Sequence, residues 1–322
     1  PRGPTAVRRL LTALFLLHLL SPLAAAEPLR FFAVGDLPYN PGELPGLQAL
    51  FAAAATGKTP FVIHVGDIKG GSEPCSDDNL RQIAALFRVQ PVPVVYTPGD
   101  NEWTDCHRER AGGLNPLDRL ERVRDIFYRD PGVLRLQALG VAQPGKGGRD
   151  AAFPEIYSFV KDGVIFVALH VVGSDNGYRP RQSSTISEFA SREQANASAL
   201  AHALDQARRR GTKVMVILCQ ADPMFEDPVS LPGFLSFRRG LVQLMADFPG
   251  QVLLIHGDTH IARHDRPLID PRTGQPFTRF VRAEVPGSPL VGGLWIGIDP
   301  DAADPFAVET IYAAALGSDA GH

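Results

Sequence analysis

Short apolar runs alternate with amphipathic stretches along the first half of the chain, in the way typical of βα units. The run at 29–34 is followed by a helical stretch at 44–55. The run FVIHV at 61–65 is followed by a helix that opens near Ser76, with apolar side chains at intervals of three and four residues. A third run, at 93–97, precedes another helical pattern. These runs predict three buried strands with helices between them.

The pattern changes beyond residue 150, where 156–160 and 164–170 predict a β-hairpin joined by a Lys-Asp-Gly turn. A helix is predicted from about Arg192, because Ser191 and Gln194 have the spacing of a capping box. The remaining pattern predicts a helix at 240–248 and strands at 214–219, 252–256, 279–283, 294–298 and 307–312. Together the elements predict an α/β (α+β) fold, a four-layer αββα sandwich of two mixed β-sheets flanked by helices.

Composition excludes several classes of partner. The chain has 322 residues, a net charge of −3 and a pI of about 6.3, which predicts no nucleic-acid partner and no membrane association in the mature form. Arg8-Arg9, the apolar stretch at 10–20 and a small-residue sequence ending at Ala26 have the order of a signal peptide. We therefore expect 1–26 to be a signal peptide cleaved near Ala26, and 27–322 to be one exported domain, periplasmic or extracellular. The oligomeric state is left open.

Three cysteines are too few for a disulfide scaffold. Cys75 and Cys106 lie on loops that leave neighbouring predicted strands, whereas Cys219 lies inside the apolar run VMVILC. Export to an oxidising compartment favours a disulfide between the first two. The sequence therefore predicts a Cys75–Cys106 bridge and a buried Cys219 thiol.

Four Gly-Asp pairs stand where apolar runs end, and they supply Asp36, Asp67, Asp100 and Asp258. Ligands of open α/β sheets bind beyond the carboxyl ends of the strands. One aspartate there is more often a turn former, but four would form an acidic pocket. Because like charges at short range repel and raise one another's pKa, such a pocket favours one or two bound divalent metal ions.

Five short stretches carry the candidate chemistry, and they are GDLPY at 35–39, GDIKG at 66–70, GDNEW at 99–103, CQADP at 219–223 and GDTH at 257–260. Their order resembles the calcineurin-like metallophosphoesterase superfamily, with its blocks D-x-H, G-D-x-x, G-N-H-[DE], a lone His and G-H-x-H. Each block alone is a weak signal, whereas the ordered set covers most of the chain. The resemblance implies a site for two metals and a small phosphoester substrate.

Three of the family's ligands are intact. Asp36 matches the first aspartate, a ligand of one metal, and Asp67 matches the aspartate that bridges both metals. His260 matches the second histidine of the last block, a further ligand of the first metal. Pro38 replaces the family's first histidine, and the neighbouring Tyr39 could supply a phenolate oxygen instead.

Four further family positions are substituted. Asp100 replaces an asparagine ligand, Asn101 replaces the histidine that protonates the leaving group, and Asp258 replaces the first histidine of the last block. Gln220, or its neighbour Asp222, stands near the lone histidine. An oxygen-rich site of this kind shifts metal preference from zinc towards manganese, magnesium or calcium. The identity stays open among Mn, Mg, Fe, Zn and Ca.

Two functions follow from the resemblance. The first is a phosphomonoesterase or phosphodiesterase in which metal-bound hydroxide attacks phosphorus. In it Asp67 bridges the two ions, Asp36 and His260 hold one, and Asp100 with Asp258 hold the other. Asn101 lacks the acidity of histidine, so the substrates would carry good leaving groups. The alternative is a non-catalytic protein of the same fold that binds a structural cation and a ligand or partner.

Other histidines are expected to serve the structure. His64 and His256 lie inside predicted strands and should pack or support neighbouring residues rather than ligate a metal. His170 ends a predicted strand, and its role stays open.

Overall fold

Eleven strands form two mixed sheets in the computed structural model, which describes residues 28–147, 149–227, 229 and 231–316. The predicted signal peptide at 1–26 lies outside the described residues. The first sheet has the order β11-β10-β1-β2-β3 and contains β1 (Leu29–Val34), β2 (Val62–His64), β3 (Val94–Tyr96), β10 (Gly292–Ile298) and β11 (Phe306–Tyr312). The second has the order β4-β5-β6-β7-β9-β8 and contains β4 (Tyr157–Lys161), β5 (Val164–Ala168), β6 (Val214–Leu218), β7 (Gln251–His256), β8 (Arg263–Asp265) and β9 (Phe280–Glu284).

Strand direction decides where a site can form. β1, β2 and β3 are parallel, with Phe32 opposite Val62 and Val62 opposite Val94. In the second sheet β5, β6, β7 and β9 are parallel, and β4 and β8 are antiparallel at the edges. The carboxyl ends of the parallel strands therefore deliver their loops to one edge of each sheet.

Helices cover the outer faces of both sheets. They are α1 (Leu44–Thr56), α2 (Asp77–Arg88), α3 (Pro116–Val123), α4 (Pro131–Leu134), α5 (Gly173–Asn176), α6 (Ser183–Arg210), α7 (Leu235–Asp247) and α8 (Ala313–Leu316). Apolar side chains of α1 and α2 pack with the first sheet, and those of α6 and α7 pack with the second. The side chain of Ser76 caps α2 by accepting the N–H of Asn79, as its position in the sequence predicts.

Aromatic rings fill the space between the sheets. Phe31 and Phe61 of the first sheet meet Phe166 of the second edge to face, with ring centroids 5.4 and 5.2 Å apart. Such pairs add to the free energy gained by burying their large apolar surfaces. The two inner faces thus form one core, which confirms the predicted four-layer αββα sandwich.

Two helix starts were predicted wrongly. The helix expected from about Arg192 begins at Ser183, so Ser191 and Gln194 lie inside α6 and form no capping box. The spacing of a capping box also occurs within helices, and no Gly or Pro separates Ser183 from Arg192. The helix expected at 240–248 is α7, which begins earlier, at Leu235. The short strand β8 was not predicted.

The predicted disulfide is present. Cys75 and Cys106 are bonded, with their Cα atoms 5.7 Å apart, and they join the loops that follow β2 and β3. Cys219 is a buried free thiol, as expected. None of the helices within the described residues is both long and apolar enough to cross a membrane.

Candidate metal centre

The aspartates of the Gly-Asp pairs lie where the edges of the two sheets meet. Asp36, Asp67 and Asp100 follow β1, β2 and β3, and Asp258 follows β7 of the other sheet. The backbone N–H of Asp258 donates to both carboxylate oxygens of Asp36, at 3.2 and 3.1 Å. A Cβ atom at Gly173 would lie 2.7 Å from Asp258 Oδ1 and 2.9 Å from Asp100 Oδ1. The structure therefore brings carboxylates of both sheets together.

Left-handed backbone directs four of the side chains into this centre. The φ angle is 52° at Asp36, 52° at Asp67, 81° at Asp258 and 64° at His260. This conformation costs about 1–2 kcal/mol for most residues other than glycine. Residues held in it cluster at functional sites, where the surrounding structure overrides the cost. The turn after each strand end is thus fixed in the conformation that groups the carboxylates.

Tyr39 occupies the place next to the missing family histidine. Its hydroxyl group lies 2.9 Å from Asp67 Oδ2 and 3.0 Å from His260 Nε2. Asn101 Nδ2 lies 2.8 Å from the same Asp67 oxygen and 3.1 Å from the Tyr39 hydroxyl, and the Asn101 N–H donates to Asp67 Oδ1 at 3.1 Å. Burial, followed by the charge of Asp67, raises the pKa of Tyr39. Tyr39 and Asn101 therefore both contact the central aspartate.

The orientation of the His260 ring leaves one of its two nitrogens able to bind a cation at the centre. Nδ1 lies 2.6 Å from the carbonyl oxygen of Ser288. A carbonyl only accepts hydrogen bonds, so the proton of the neutral ring resides on Nδ1. Nε2 then carries a lone pair, and it lies 3.8 Å from Asp36 Oδ1. This is the tautomer that a metal-binding histidine adopts when its other nitrogen is held by a carbonyl.

Two polar residues beside Asp100 were missed in the sequence. Ser174 Oγ lies 2.6 Å from Asp100 Oδ2 and 2.9 Å from Asp105 Oδ1. Arg108 pairs with Asp105 at 2.6 Å and has a half-exposed side chain. Asp105 lies in the same loop as Asp100, and Ser174 follows the end of β5. Their position after strand ends was the signal that could have identified them.

The side chains of Gln220 and Asp222 contact different groups. Gln220 is buried and its Oε1 accepts the N–H of Gly173 at 2.7 Å, beside Asp100 and Asp258. The backbone N–H of Asp222 donates to Asp258 Oδ2 at 3.1 Å, but its carboxylate faces away, towards His256 and Glu284. Of the two alternatives at the lone-histidine block, Gln220 is therefore the side chain next to the aspartates.

The centre is electrostatically unbalanced without a cation. Burial, followed by the charge of Asp258, raises the pKa values of Asp36 and Asp100, and burial followed by the charge of Asp100 raises that of Asp67. Burial raises the pKa of Asp258 to about 7. Across the part of the chain that the structure describes, no lysine or arginine forms a salt bridge with any of the four. A divalent cation would remove this repulsion, so the donor set fits a metal site.

The remaining histidines have distinct surroundings. His64 packs as expected, with Nε2 3.0 Å from the Leu37 carbonyl and Nδ1 accepting the N–H of Gly66. His170 is buried against Glu155, at 2.9 Å. His256 forms a compact group with Asp222 and Glu284, named here the Asp222 cluster, in which one ligand atom of each residue lies within 4.8 Å of the others. Glu284 was not identified from the sequence, because it resembles any polar residue at the end of a buried strand.

Solved structures share this arrangement of sheets. A dimetal phosphatase from Danio rerio matches with a TM-score of 0.53 and 12% identity, over 89% of this chain and all of that one. PhoD matches with a TM-score of 0.53 and 12% identity, over 90% of this chain and 70% of that one. A purple acid phosphatase from yellow lupin (Lupinus luteus) seeds matches with a TM-score of 0.51 and 13% identity, over 89% of this chain and 52% of that one.

This chain has a metallophosphoesterase-type fold. The resemblance found in the sequence is thereby confirmed at the level of the fold. Sequence identities of 12–13% show that the fold is shared, and they show nothing about function. No family model matches the sequence, and no curated protein matches it. The roles of individual residues on this metallophosphoesterase-type fold therefore have to be argued from its own geometry.

Proposed function

We propose that this protein is a metal-dependent phosphoester hydrolase with a centre for two divalent cations. The first cation would be held by Asp36, Asp67 and His260 with Tyr39, and the second by Asp67, Asp100 and Asp258 with Gln220. The observation that carries the proposal is the grouping of four aspartates from two sheets, none of which forms a salt bridge with a lysine or arginine of the described residues. The metallophosphoesterase-type fold supports it, because the centre lies beyond the carboxyl ends of the parallel strands.

Bound divalent cations would supply Lewis-acid charge and lower the pKa of a water molecule near the substrate. The protein's own groups would hold the metal ligands and the substrate in position. Asn101 holds Asp67 through its backbone N–H and its side-chain amide. Lys69 is buried, and its Nζ donates to the carbonyl oxygen of Asn101 at 2.8 Å, which fixes the backbone of that loop. Arg108 places a guanidinium beside Ser174 and Asp105, where it would meet a phosphate group of the substrate.

Asn101 also limits the substrate. Its amide lies against Asp67 and Tyr39 and has no acidic proton, so the chain offers no general acid at this position. General acid catalysis contributes roughly 10²–10⁴-fold to such reactions. The preferred substrates are therefore small phosphomonoesters or phosphodiesters with good leaving groups. The same observation favours the second candidate function, a non-catalytic protein that uses the centre to bind a structural cation and a ligand or partner.

The disulfide bears on where the protein works. A buried Cys75–Cys106 bridge is stable in oxidising compartments and uncommon in the cytosol. Together with the signal-peptide pattern at 1–26, it supports export to the periplasm or the extracellular space. The identity of the bound metal would then depend on which ions are available in that compartment.

The function is tested by metal content and turnover of the purified mature protein. Manganese-loaded wild type should hydrolyse an aryl phosphate or an aryl phosphodiester. Asp67→Asn should lose activity by at least about 10²-fold and lose bound metal, because a neutral amide cannot bridge two cations. Asp162→Asn is the matched control, since Asp162 is another left-handed aspartate, with φ 48°, in the exposed β4–β5 turn.

The two candidate functions predict different results. A hydrolase requires turnover that depends on the cation and on Asp67. If the protein is a non-catalytic binding protein, the wild type would bind the cation, Asp67→Asn would not bind it, and the wild type would hydrolyse neither ester. A wild type that binds no divalent cation would contradict both.

A further inference from the structure

The Asp222 cluster lies beside the centre, on the second sheet. Its three side chains are almost completely buried, with exposed fractions of 2% for Asp222 and 0% for His256 and Glu284. His256 and Glu284 end the parallel strands β7 and β9 and are opposite each other in register, and Asp222 follows β6. Strand pairing therefore holds an imidazole and two carboxylates together in the interior.

One ring nitrogen of His256 has no hydrogen-bond partner within the described part of the chain. Nδ1 lies 2.8 Å from the carbonyl oxygen of Gly257, so it carries the proton of the neutral ring. Nε2 then carries a lone pair, and it is buried without a hydrogen-bond partner among the residues that the structure describes. An unsatisfied buried acceptor of this kind destabilises the folded state, because it has lost its hydrogen bond to water.

The charges around the cluster do not balance. Arg263 contacts Asp222 at 3.5 Å and Glu284 at 3.2 Å, and Arg282 lies 3.8 Å from Asp222. The same two arginines also pair with Glu226 and Asp265. Four carboxyl groups thus share two guanidinium groups, so acidic side chains outnumber basic ones in this network. An ion-pair network alone explains neither this excess nor the unpartnered nitrogen, whereas one divalent cation would account for both.

We propose that Asp222, His256 and Glu284 bind a divalent transition-metal cation at a site separate from the four aspartates. One nitrogen and two oxygen ligands from the protein, with a position left for water, suit zinc. The imidazole nitrogen favours zinc over magnesium or calcium, which take oxygen ligands. The proposal does not depend on hydrolase activity, because it rests on a different set of side chains.

A cation at this site would also fix the neighbouring loop. Glu284 accepts hydrogen bonds from Thr259 Oγ1 and from the N–H of Ile261, at 3.3 Å in the second case. The N–H of Asp222 donates to Asp258 Oδ2. The segment from 258 to 261 carries both Asp258 and His260, so the cation would hold two residues of the main centre in place.

The number of zinc ions bound per chain tests the site. Wild type and His256→Gln are dialysed against zinc alone, freed of loose metal by gel filtration and analysed for zinc per chain. The pair Asp67→Asn and Asp67→Asn/His256→Gln is treated in the same way. We expect His256→Gln to lower the count by one equivalent in both backgrounds, because glutamine cannot supply the imidazole nitrogen. Equal counts within either pair would overturn the proposal.

His64→Gln is the matched control. His64 is also fully buried near the end of a parallel strand, but both of its ring nitrogens have partners. Its substitution should leave the zinc count unchanged, and a loss equal to that of His256→Gln would overturn the assignment. Far-ultraviolet circular dichroism, measured in the presence of a chelator, verifies that each variant is folded. If His256→Gln does not fold, Asp222→Asn takes its place with the same expectation.

The two proposals fail separately. If the hydrolase proposal is wrong and this one is right, zinc binding at the Asp222 cluster persists in Asp67→Asn and turnover is absent from the wild type. If this proposal is wrong and the hydrolase proposal is right, Asp67→Asn loses its zinc and its activity, and His256→Gln has the zinc count of the wild type.

Discussion

The backbone N–H of Asp258 donates to both carboxylate oxygens of Asp36, and this contact joins the two sheets at the centre. The residues are 222 positions apart, one at the end of β1 and the other at the end of β7. Packing of the sheets thus decides how far apart the two halves of the centre lie. A change that shifts one sheet against the other would be expected to affect cation binding before it unfolds the protein.

Asn101→His should restore a general acid. We expect turnover of an alkyl phosphate, which has a poor leaving group, to rise by at least about tenfold, within the range that such catalysis contributes. Turnover of a nitrophenyl phosphate should change much less, because its leaving group departs without a proton. Steady-state rates on the two substrates provide the measurement and its control. Equal changes on both would contradict this role for position 101.

Gly173→Ala should narrow the space between Asp100 and Asp258. The new Cβ would lie 2.7 Å from Asp258 Oδ1, closer than side chains approach one another, so the carboxylate has to move. We expect loss of about one manganese equivalent and a matching fall in turnover. Gly240→Ala in α7 is the control, since its Cβ would meet no atom closer than 3.9 Å. It should stabilise the helix by about 0.5–1 kcal/mol and leave metal content unchanged.

The Asp258 carboxyl group should make the metal-free protein lose stability as the pH rises from about 4 to about 7. Burial raises the pKa of Asp258 to about 7, whereas an aspartate of an unfolded chain titrates near ~3.9. Between these two values the folded state binds more protons than the unfolded chain, so the contribution of Asp258 to the free energy of unfolding falls as the pH rises from about 4 to about 7. His64 and His256, whose pKa values burial lowers to about 4, act in the opposite sense up to about pH 7, so the effect of Asp258 is obtained by comparison with Asp258→Asn.

Urea titrations in chelator at both ends of this range measure the effect. Asp258→Asn should show a smaller fall, because it removes the carboxylate that titrates. Saturating manganese should abolish the fall in the wild type, since the cation keeps the carboxylates ionised throughout. An Asp258→Asn variant whose stability changes with pH in the same way as that of the wild type would be inconsistent with the raised pKa of Asp258.

Removal of the disulfide should destabilise the fold. Cys75 and Cys106 are 31 residues apart, and the loss of a cross-link over this distance costs roughly 3 kcal/mol on the chain-entropy model. The double variant Cys75→Ser/Cys106→Ser should lose about that much free energy of unfolding in urea. Dithiothreitol should lower the stability of the wild type similarly and leave the double variant unchanged. A double variant as stable as the oxidised wild type would contradict this contribution of the cross-link.

The sequence by itself determined most of the sandwich. Apolar runs that end in Gly-Asp located β1, β2, β3 and β7, because a buried strand needs continuous apolar residues and the glycine permits the turn that follows. The order of the five blocks indicated the fold. The Cys75–Cys106 bridge followed from two cysteines on neighbouring loops. These features depend on local pattern and chain order, which the sequence displays directly.

Only the tertiary structure decided which side chains meet. The start of α6 lies at Ser183 rather than at the local capping signal. Ser174 reaches Asp100 through the packing of one sheet against the other, and Glu284 reaches His256 through the pairing of β7 with β9. Periodicity encodes which face of an element is buried, but the neighbours across that face depend on the packing free energy of the whole core. For this reason the aspartates were found from the sequence, whereas the Asp222 cluster was not.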